Sequence, residues 1–296
     1  MKNVDNGDEK VALVTGAEIN LGRVMALSLL EAGLRVVLTS LSRERLEEVV
    51  HAGNVPADRA LIIAADLTKA EDRDRIVRES VDAFGRIDVL VNNAGVTPET
   101  YWPNWLVEGE PKPWELPQEL YRTFLEVNTI APHLLMAAVL PGMIERGWGR
   151  IVNITTSLRA MLTFWPYGST KAALEAQTAV IARRLDGTGV TANVLVPGGL
   201  AKPEPLRMSG GRVIPPSVSP MVMAAPIRWL ASEESNGFTG KRILGASWDS
   251  SLPPEKASQA ACFPAGWDEP TEQNVNALLR AGSESPGSSQ FAHVNR

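Results

Sequence analysis

The stretch Val11-Ala12-Leu13-Val14-Thr15-Gly16-Ala17-Glu18-Ile19-Asn20-Leu21-Gly22 decides the fold. It begins as an apolar, β-branched run, passes through a glycine turn and leads into a helical pattern. A turn of this kind directs backbone N–H groups at a phosphate lying on the positive end of the helix. Because the turn sits in the first strand–helix unit of the chain, it predicts a dinucleotide site rather than a tight turn alone.

Strands and helices alternate outward from this stretch. Short apolar runs predict strands at Val11–Thr15, Arg35–Thr39, Leu61–Ala65, Val89–Asn92, Arg150–Ile154 and Thr191–Val196. Helical patterns cover Leu21–Ala32, Arg43–His51, Ala70–Phe84, Leu120–Arg146 and Tyr167–Leu185. Pro132 and Pro141 are expected to kink or interrupt the fourth helix. Continuous apolar runs are typical of strands covered on both faces, so we expect an α/β protein with a doubly wound parallel sheet of Rossmann type.

The chain is expected to form a single domain with long substrate loops and a C-terminal extension. Residues 1–250 would carry the dinucleotide site and the catalytic site, and residues 251–296 would form the extension, with a disordered Ser/Gly-rich end at Gly282–Arg296. Two loops, Val96–Pro117 and Gly198–Pro220, are longer than such a fold needs. Long loops in compact domains are usually functional or disordered.

Composition excludes several classes of function. The net charge of −5 argues against nucleic acid as a partner, since phosphate binding needs a basic face. The single cysteine, Cys262, allows no intramolecular disulfide, and the three scattered histidines suggest no metal site. The most apolar stretch, Leu134–Ile144, is too short to span a bilayer. We therefore expect a cytoplasmic, metal-free protein that does not enter a membrane.

Tyr167 and Lys171 form a Tyr-x-x-x-Lys pair, which lies on one face of a helix. A free tyrosine has a pKa of about 10 and is a poor base near neutral pH. A neighbouring ammonium group stabilises the phenolate and is expected to lower that pKa. A solvated pair on a helix surface is the alternative, but the position of this pair at the start of a helix, directly after a strand, favours catalysis.

Together these motifs resemble the short-chain dehydrogenase/reductase family over about residues 9–245. The first loop resembles the family's Thr-Gly-x-x-x-Gly-x-Gly motif, with Asn20 in place of the middle glycine and with Glu18 where a pyrophosphate would be repelled. Asparagine tolerates positive φ better than most residues, so the turn is expected to survive. The resemblance implies cofactor contacts from Gly16, Glu18, Asn20, Leu21, Gly22, Asp66, Leu67, Asn93, Ala94, Gly95, Tyr167, Lys171, Pro197 and Gly198.

The same resemblance implies the catalytic roles. Tyr167 would be the general acid/base, Lys171 would tune it and bind the ribose, and Asn128 would hold a water in a proton relay that reaches the lysine. The hydroxyl that holds the substrate oxygen has two candidates. Motif alignment favours Thr156 and residue identity favours Ser157, so both remain open.

The cofactor is expected to be NADP or NAD. Folds that select NAD place an acid at the end of the second strand, against the ribose 2′-hydroxyl. The matching position here is Ser40, which would not repel a 2′-phosphate, and Arg43 could pair with that group. These two residues favour NADP, although Arg43 could equally be part of an exposed helix.

The expected function is therefore NAD(P)-dependent hydride transfer between a nicotinamide and a small-molecule carbonyl or secondary alcohol. A non-catalytic NAD(P)-binding sensor or regulatory protein is the alternative, favoured by Asn20, Glu18 and by Lys202, which stands where the family has a threonine. Retention of Tyr167, Lys171 and Asn128 counts against it, because a sensor needs no proton chemistry.

Aromatic residues are concentrated in two segments near the expected site. Tyr101, Trp102, Trp105 and Trp114 lie in the first long loop, and Phe164 and Trp165 precede Tyr167. They predict an aromatic-walled pocket for a bulky apolar substrate, beneath a closing Gly198–Pro220 loop. The alternative is that they pack against Trp248, Trp267 or a second subunit. The family resemblance also implies a homodimer or homotetramer through Leu120–Arg146 and Tyr167–Leu185.

Overall fold

The computed structural model describes residues 9–104, 111–201 and 217–266. Its strands are β1 (Val11–Thr15), β2 (Arg35–Ser40), β3 (Ala60–Ala64), β4 (Val89–Asn92), β5 (Gly149–Ile154), β6 (Val190–Val196), β7 (Leu200–Ala201), β8 (Ser217–Val218), β9 (Lys241–Leu244) and β10 (Cys262–Pro264). Its helices are α1 (Asn20–Glu31), α2 (Arg43–Ala52), α3 (Ala70–Phe84), α4 (Pro98–Tyr101), α5 (Gln118–Leu125), α6 (Ala131–Glu145), α7 (Leu158–Thr163), α8 (Tyr167–Arg184), α9 (Ala224–Leu230) and α10 (Pro254–Ala261).

Eight strands form the central sheet, in the order β10-β9-β6-β5-β4-β1-β2-β3. β1 pairs in parallel with both β2 and β4, so the chain first winds outward to β3 and then returns to build the other half. The two halves diverge between β1 and β4, and ligands of such sheets bind in the crevice at the carboxyl ends of the strands at this point. The expected doubly wound Rossmann-type sheet is confirmed, and the six predicted strands agree with the observed ones to within one residue at each end.

Apolar side chains cover both faces of the sheet, as continuous apolar strands require. On one face, α1, α2 and α9 bury residues such as Met25, Leu46 and Ile227. On the other face, α3, α6 and α8 pack over the same strands, where Ile76 and Leu135 are buried. The carboxyl edge is thus held between two rigid layers.

The helix predicted at Leu120–Arg146 is continuous from Gln118 to Glu145, with a π-helical turn at Glu126–Ile130 between α5 and α6. The irregular turn falls just before Pro132, where an interruption is expected, whereas Pro141 lies inside α6 and does not end it. Within the described ranges this is the one helix that is long and apolar enough to cross a membrane by length and composition. The helix is longer than the apolar stretch Leu134–Ile144. The shortness of that stretch therefore does not decide whether the helix could cross a bilayer.

The chain after residue 250 returns to the sheet. α10 leads into β10, which pairs antiparallel with β9 through Cys262 and Ile243. Gly266 then donates its backbone N–H to the carboxylate of Glu175, at 3.2 Å. Residues 254–264 therefore belong to the same layered structure as the strands before them, and the predicted disordered end lies outside the described residues.

Candidate active site

The first loop has the backbone geometry that its glycines require. Gly16 adopts a φ of +64°, and a Cβ at Gly22 would lie only 2.0 Å from the carbonyl oxygen of Gly16. The side-chain amide of Asn93 donates to the carbonyl oxygens of Thr15 and Gly16, at 2.9 and 3.1 Å. The end of β4 thus fixes the turn that follows β1, and α1 starts close against it.

Asn20 takes the place of a glycine without breaking the turn. Its φ is 48°, in the left-handed region that asparagine tolerates. Its side-chain amide donates to the carbonyl oxygen of Ala201, at 2.9 Å, in the segment after β6. Asn20 therefore connects the two loops that border the crevice.

A cleft of about 400 Å³ opens at this crevice. It is bordered by the first loop and by the ends of β2, β3 and β4. Among the predicted cofactor residues, those in its lining are Gly16, Glu18, Asn20, Leu21, Gly22, Ser40, Asp66, Leu67, Asn93, Ala94 and Gly95. The cleft lies at the topological switch point, where sheets of this kind bind dinucleotides.

Five predicted cofactor residues do not line this cleft, and they are Arg43, Tyr167, Lys171, Pro197 and Gly198. Arg43 donates to the carbonyl oxygen of Ile62, at 3.2 Å, and lies 3.5 Å from Glu47 on its own helix. Pro197 accepts a backbone hydrogen bond from Ala246, and Gly198 has a φ of +91°. These last two lie at the end of β6, next to the segment that begins at Lys202 and lies outside the described residues.

Thr156 and Ser157 have different partners. The Thr156 side chain hydrogen-bonds the phenol of Tyr167, which lowers the phenol pKa, but burial has the larger effect and raises the pKa of Tyr167 to about 12. The Ser157 hydroxyl accepts the backbone N–H of Ala160, at 3.1 Å, and caps α7. Of the two candidate hydroxyls, the geometry brings Thr156 to the tyrosine.

Lys171 is buried behind this pair. Its Nζ donates to the carbonyl oxygen of Ile154, at 2.9 Å, and burial lowers its pKa to about 8. The expectation that Lys171 lowers the pKa of Tyr167 is wrong for this structure, because burial dominates and the charge of Glu99 raises the phenol pKa further. The phenol is therefore held in its protonated form.

Asn128 lies in the π-helical turn, fully buried. Its Nδ2 donates to Val96 O and Thr170 Oγ1, at 2.9 and 3.0 Å, and its Oδ1 accepts Val96 N, at 2.8 Å. Both amide hydrogens are thus in use for holding structure. Pro132, four residues after Asn128, has no N–H to donate, and the π-helical turn is closed by the N–H of Ala131 donating to the carbonyl of Glu126.

A buried ion pair supports the catalytic edge and was missed from the sequence. Arg242 on β9 lies 2.5 and 2.6 Å from the carboxylate oxygens of Glu175 on α8. The same guanidinium donates to the backbone carbonyl of Thr156, at 2.5 Å. Thr155 donates its hydroxyl to Glu175, at 2.8 Å. The one available signal was a glutamate four residues after Lys171, on a helix face expected to be buried.

The aromatic side chains form two separate clusters. Trp102 stacks on the buried Phe124, with ring centroids 6.3 Å apart, and Tyr101 contacts both. Tyr121 stacks on Trp165, two residues before Tyr167, at 5.2 Å.

Two tryptophans lie outside these clusters. Trp114 is 79% exposed in the described chain, and the prediction that it packs against Trp267 or a second subunit stays a prediction. Trp248 packs on Trp229 instead of on the long loop. Trp105 and Trp267 lie outside the described residues.

Comparison with known proteins identifies the family. The family model described as short chain dehydrogenase matches residues 10–205. The chain therefore belongs to the short-chain dehydrogenase/reductase family and is an NAD(P)-dependent oxidoreductase.

Individual relatives agree with this assignment. A 3-oxoacyl-[acyl-carrier-protein] reductase of Synechocystis sp. is 31% identical over 195 residues, covering 65% of this chain and 74% of the relative. Dehydrogenase/reductase SDR family member 4 of Bos taurus is 30% identical over 252 residues, covering 81% and 86%. A solved metagenomic short-chain oxidoreductase in complex with NADP is 26% identical, with a TM-score of 0.64 over 79% of this chain and 95% of that one. An NADPH-dependent reductase involved in bacilysin biosynthesis is 25% identical, with a TM-score of 0.67, covering 80% and 98%.

Proposed function

We propose that this protein reduces a bulky, apolar carbonyl compound, or oxidises the matching secondary alcohol, with Tyr167 exchanging the proton. The observation that carries the proposal is the hydrogen bond between Thr156 and the Tyr167 phenol at the carboxyl end of β5. Two hydroxyls that converge in a half-buried site can hold one substrate oxygen between them. Lys171 lies behind them, and the cleft for a dinucleotide opens alongside.

The residues around the cleft fit a nicotinamide dinucleotide, which when bound supplies or accepts the hydride. The first loop would hold its pyrophosphate, with the N-terminus of α1 pointing at the charge. Asp66 would meet the adenine, and Lys171 would reach the nicotinamide ribose. Gly95 lies at the centre of this arrangement, since a Cβ there would be 3.2 Å from Asn128 Oδ1 and 3.4 Å from Lys171 Nζ.

The proton chemistry follows from the pKa of Tyr167. Because burial raises that pKa to about 12, the phenol is protonated near neutral pH and can donate its proton to a carbonyl oxygen that gains negative charge. The Thr156 hydroxyl would donate a second hydrogen bond to the same oxygen. We assign the relay water behind Lys171 to the backbone of Asn128, since the side-chain amide of this residue is already in use.

The substrate class rests on the two aromatic clusters. Glu99 lies in the first long loop, two residues before Tyr101 of the first cluster. Its charge is close enough to Tyr167 to raise the pKa of the phenol. The second cluster contains Trp165, which immediately precedes the Pro166–Tyr167 segment. Aromatic side chains near Tyr167 in both clusters would favour a flat or branched apolar substrate over a sugar.

The test is a spectrophotometric screen of ketones and secondary alcohols of increasing size, with both nicotinamides. Tyr167→Phe should lower kcat by at least about 10²-fold, since it removes only the proton donor, and should leave cofactor binding intact. Near-wild-type turnover of this variant would disprove the mechanism.

A pair of tryptophan variants tests the substrate class. Trp102→Ala should shift the efficiency ratio between small and bulky ketones, because it opens the first cluster. Trp114→Ala should not shift it, because that side chain is exposed. An unchanged ratio in Trp102→Ala would leave the cluster with a packing role only.

A further inference from the structure

The charges around the adenosine end of the cleft differ from those that a 2′-phosphate requires. Among the described residues that line the cleft there is no lysine, arginine or histidine, whereas two carboxylates, Glu18 and Asp66, take part. Asp66 is engaged, because its Oδ1 accepts from the backbone N–H and the hydroxyl of Thr68, at 3.0 and 2.7 Å. Since Asp66 is the carboxylate assigned above to the adenine, Glu18 is the one left for the ribose.

Glu18 is placed beside the end of β2. The preceding residue, Ala17, donates its backbone N–H to the carbonyl oxygen of Thr39, at 3.2 Å. Thr39, Ser40 and Leu41 line the same cleft as Glu18. The glutamate thus reaches from the first loop to the place where dinucleotide folds selective for NAD carry an acid on the second strand.

The Glu18 carboxylate has a vacant hydrogen-bonding position. Its Oε2 is buried and accepts no hydrogen bond from the described residues, while its Oε1 lies 3.8 Å from Nη1 of the largely exposed Arg45. A buried acceptor without a donor destabilises a protein, so a ligand that donates to it is favoured. Ribose hydroxyls are donors that would satisfy it, whereas a phosphate offers only acceptors and negative charge.

We propose that Glu18 binds the ribose hydroxyls of the adenosine and makes the protein select NAD(H) over NADP(H). The carboxylate on the first loop replaces the acid that Ser40 lacks at the end of β2. Arg43, which the sequence offered as a partner for a 2′-phosphate, contacts the carbonyl of Ile62 and the carboxylate of Glu47 and does not line the cleft. This inference rests on the proposed nicotinamide site and concerns which form of the cofactor enters it.

Direct binding tests the proposal without turnover. Isothermal titration of the full chain with NADH and NADPH should give at least a tenfold tighter Kd for NADH. Glu18→Gln keeps the size of the side chain and removes its charge, so the preference should fall by about tenfold, mostly through tighter NADPH binding. Glu48→Gln is the matched control, because it removes an exposed charge on α2 outside the cleft and should leave the ratio unchanged.

Two further measurements distinguish selection of the cofactor by Glu18 from binding of a 2′-phosphate by Arg45. Higher salt should narrow the wild-type preference, since screening weakens repulsion between Glu18 and a phosphate. Arg45→Gln should not weaken NADPH binding, and a selective loss there would mean that Arg45 holds a 2′-phosphate and would overturn the proposal. Equal or tighter wild-type binding of NADPH, or an unchanged ratio in Glu18→Gln, would overturn it as well. Failure to bind either dinucleotide would instead refute the proposed function on which it rests.

Discussion

At the scale of single residues, two adjacent hydroxyls have different expected roles, one in catalysis and the other in local structure. Thr156 hydrogen-bonds Tyr167, and Ser157 caps α7. Thr156→Ala should therefore lower kcat/KM by about 10²–10³-fold, the usual effect of removing one donor to a developing oxyanion. Ser157→Ala should keep most activity and lose about 1 kcal/mol of stability with the helix cap. Steady-state kinetics and thermal unfolding of both variants check this, and equal kinetic losses would contradict the assignment.

The pKa of Lys171 sets an expected pH dependence of cofactor binding. Burial lowers this pKa from 10.5 to about 8. The ammonium form therefore predominates below pH 8 and is lost as the pH rises through 8. If the ammonium donates to the ribose, the Kd for NADH should rise above pH 8, well before an ordinary lysine would titrate. Titrations across this range check it. Lys171→Met should bind more weakly and without that pH dependence, and an identical pH profile in this variant would remove Lys171 from the explanation.

At the scale of secondary-structure elements, the ion pair between Glu175 on α8 and Arg242 on β9 holds the catalytic edge from behind. Arg242→Met should lower the free energy of unfolding by about 3–5 kcal/mol, because it leaves a buried carboxylate without its partner. It should also lower kcat, since the Thr156 carbonyl loses a donor. Urea denaturation measures the first effect. The double variant Glu175→Leu with Arg242→Met should recover most of the stability, and a single variant as stable as wild type would contradict the argument.

These elements also show what the sequence can and cannot predict. The β1–α1 turn and the Tyr167–Lys171 spacing are local, and buried parallel strands have continuous apolar runs, so the fold and much of the candidate site were predictable. The partner of Glu175 was not, because Arg242 is distant along the chain and periodicity carries no information about such contacts. The raised pKa of Tyr167 was missed for a related reason, since burial by distant segments outweighs a neighbouring charge. β7, β8 and β10 are too short to stand out from loops.

At the scale of the whole molecule, α6 presents an apolar surface that the described residues do not cover. The exposed apolar residues lie on one side of the helix at spacings of three to four residues. They are Leu134, Ala137, Ala138, Pro141 and Ile144, together with Ile130 in the π-helical turn just before α6. Val180 on the neighbouring helix α8 is 59% exposed. A continuous apolar face of this kind is typical of an interface between subunits.

We therefore expect a homodimer, formed by two copies that pack these helices against each other as a two-fold axis allows. Leu134→Glu places a charge at the centre of the face and should convert the dimer to a monomer, because an unpaired charge is strongly disfavoured in a buried interface. Val81→Glu is the matched control, since Val81 is similarly exposed, at 43% against 40% for Leu134, but lies on α3. Light scattering coupled to gel filtration measures the mass, and circular dichroism shows whether each variant is folded. A wild-type protein that is monomeric at micromolar concentration would refute the expectation, and a Leu134→Glu variant that stays dimeric would place the interface elsewhere.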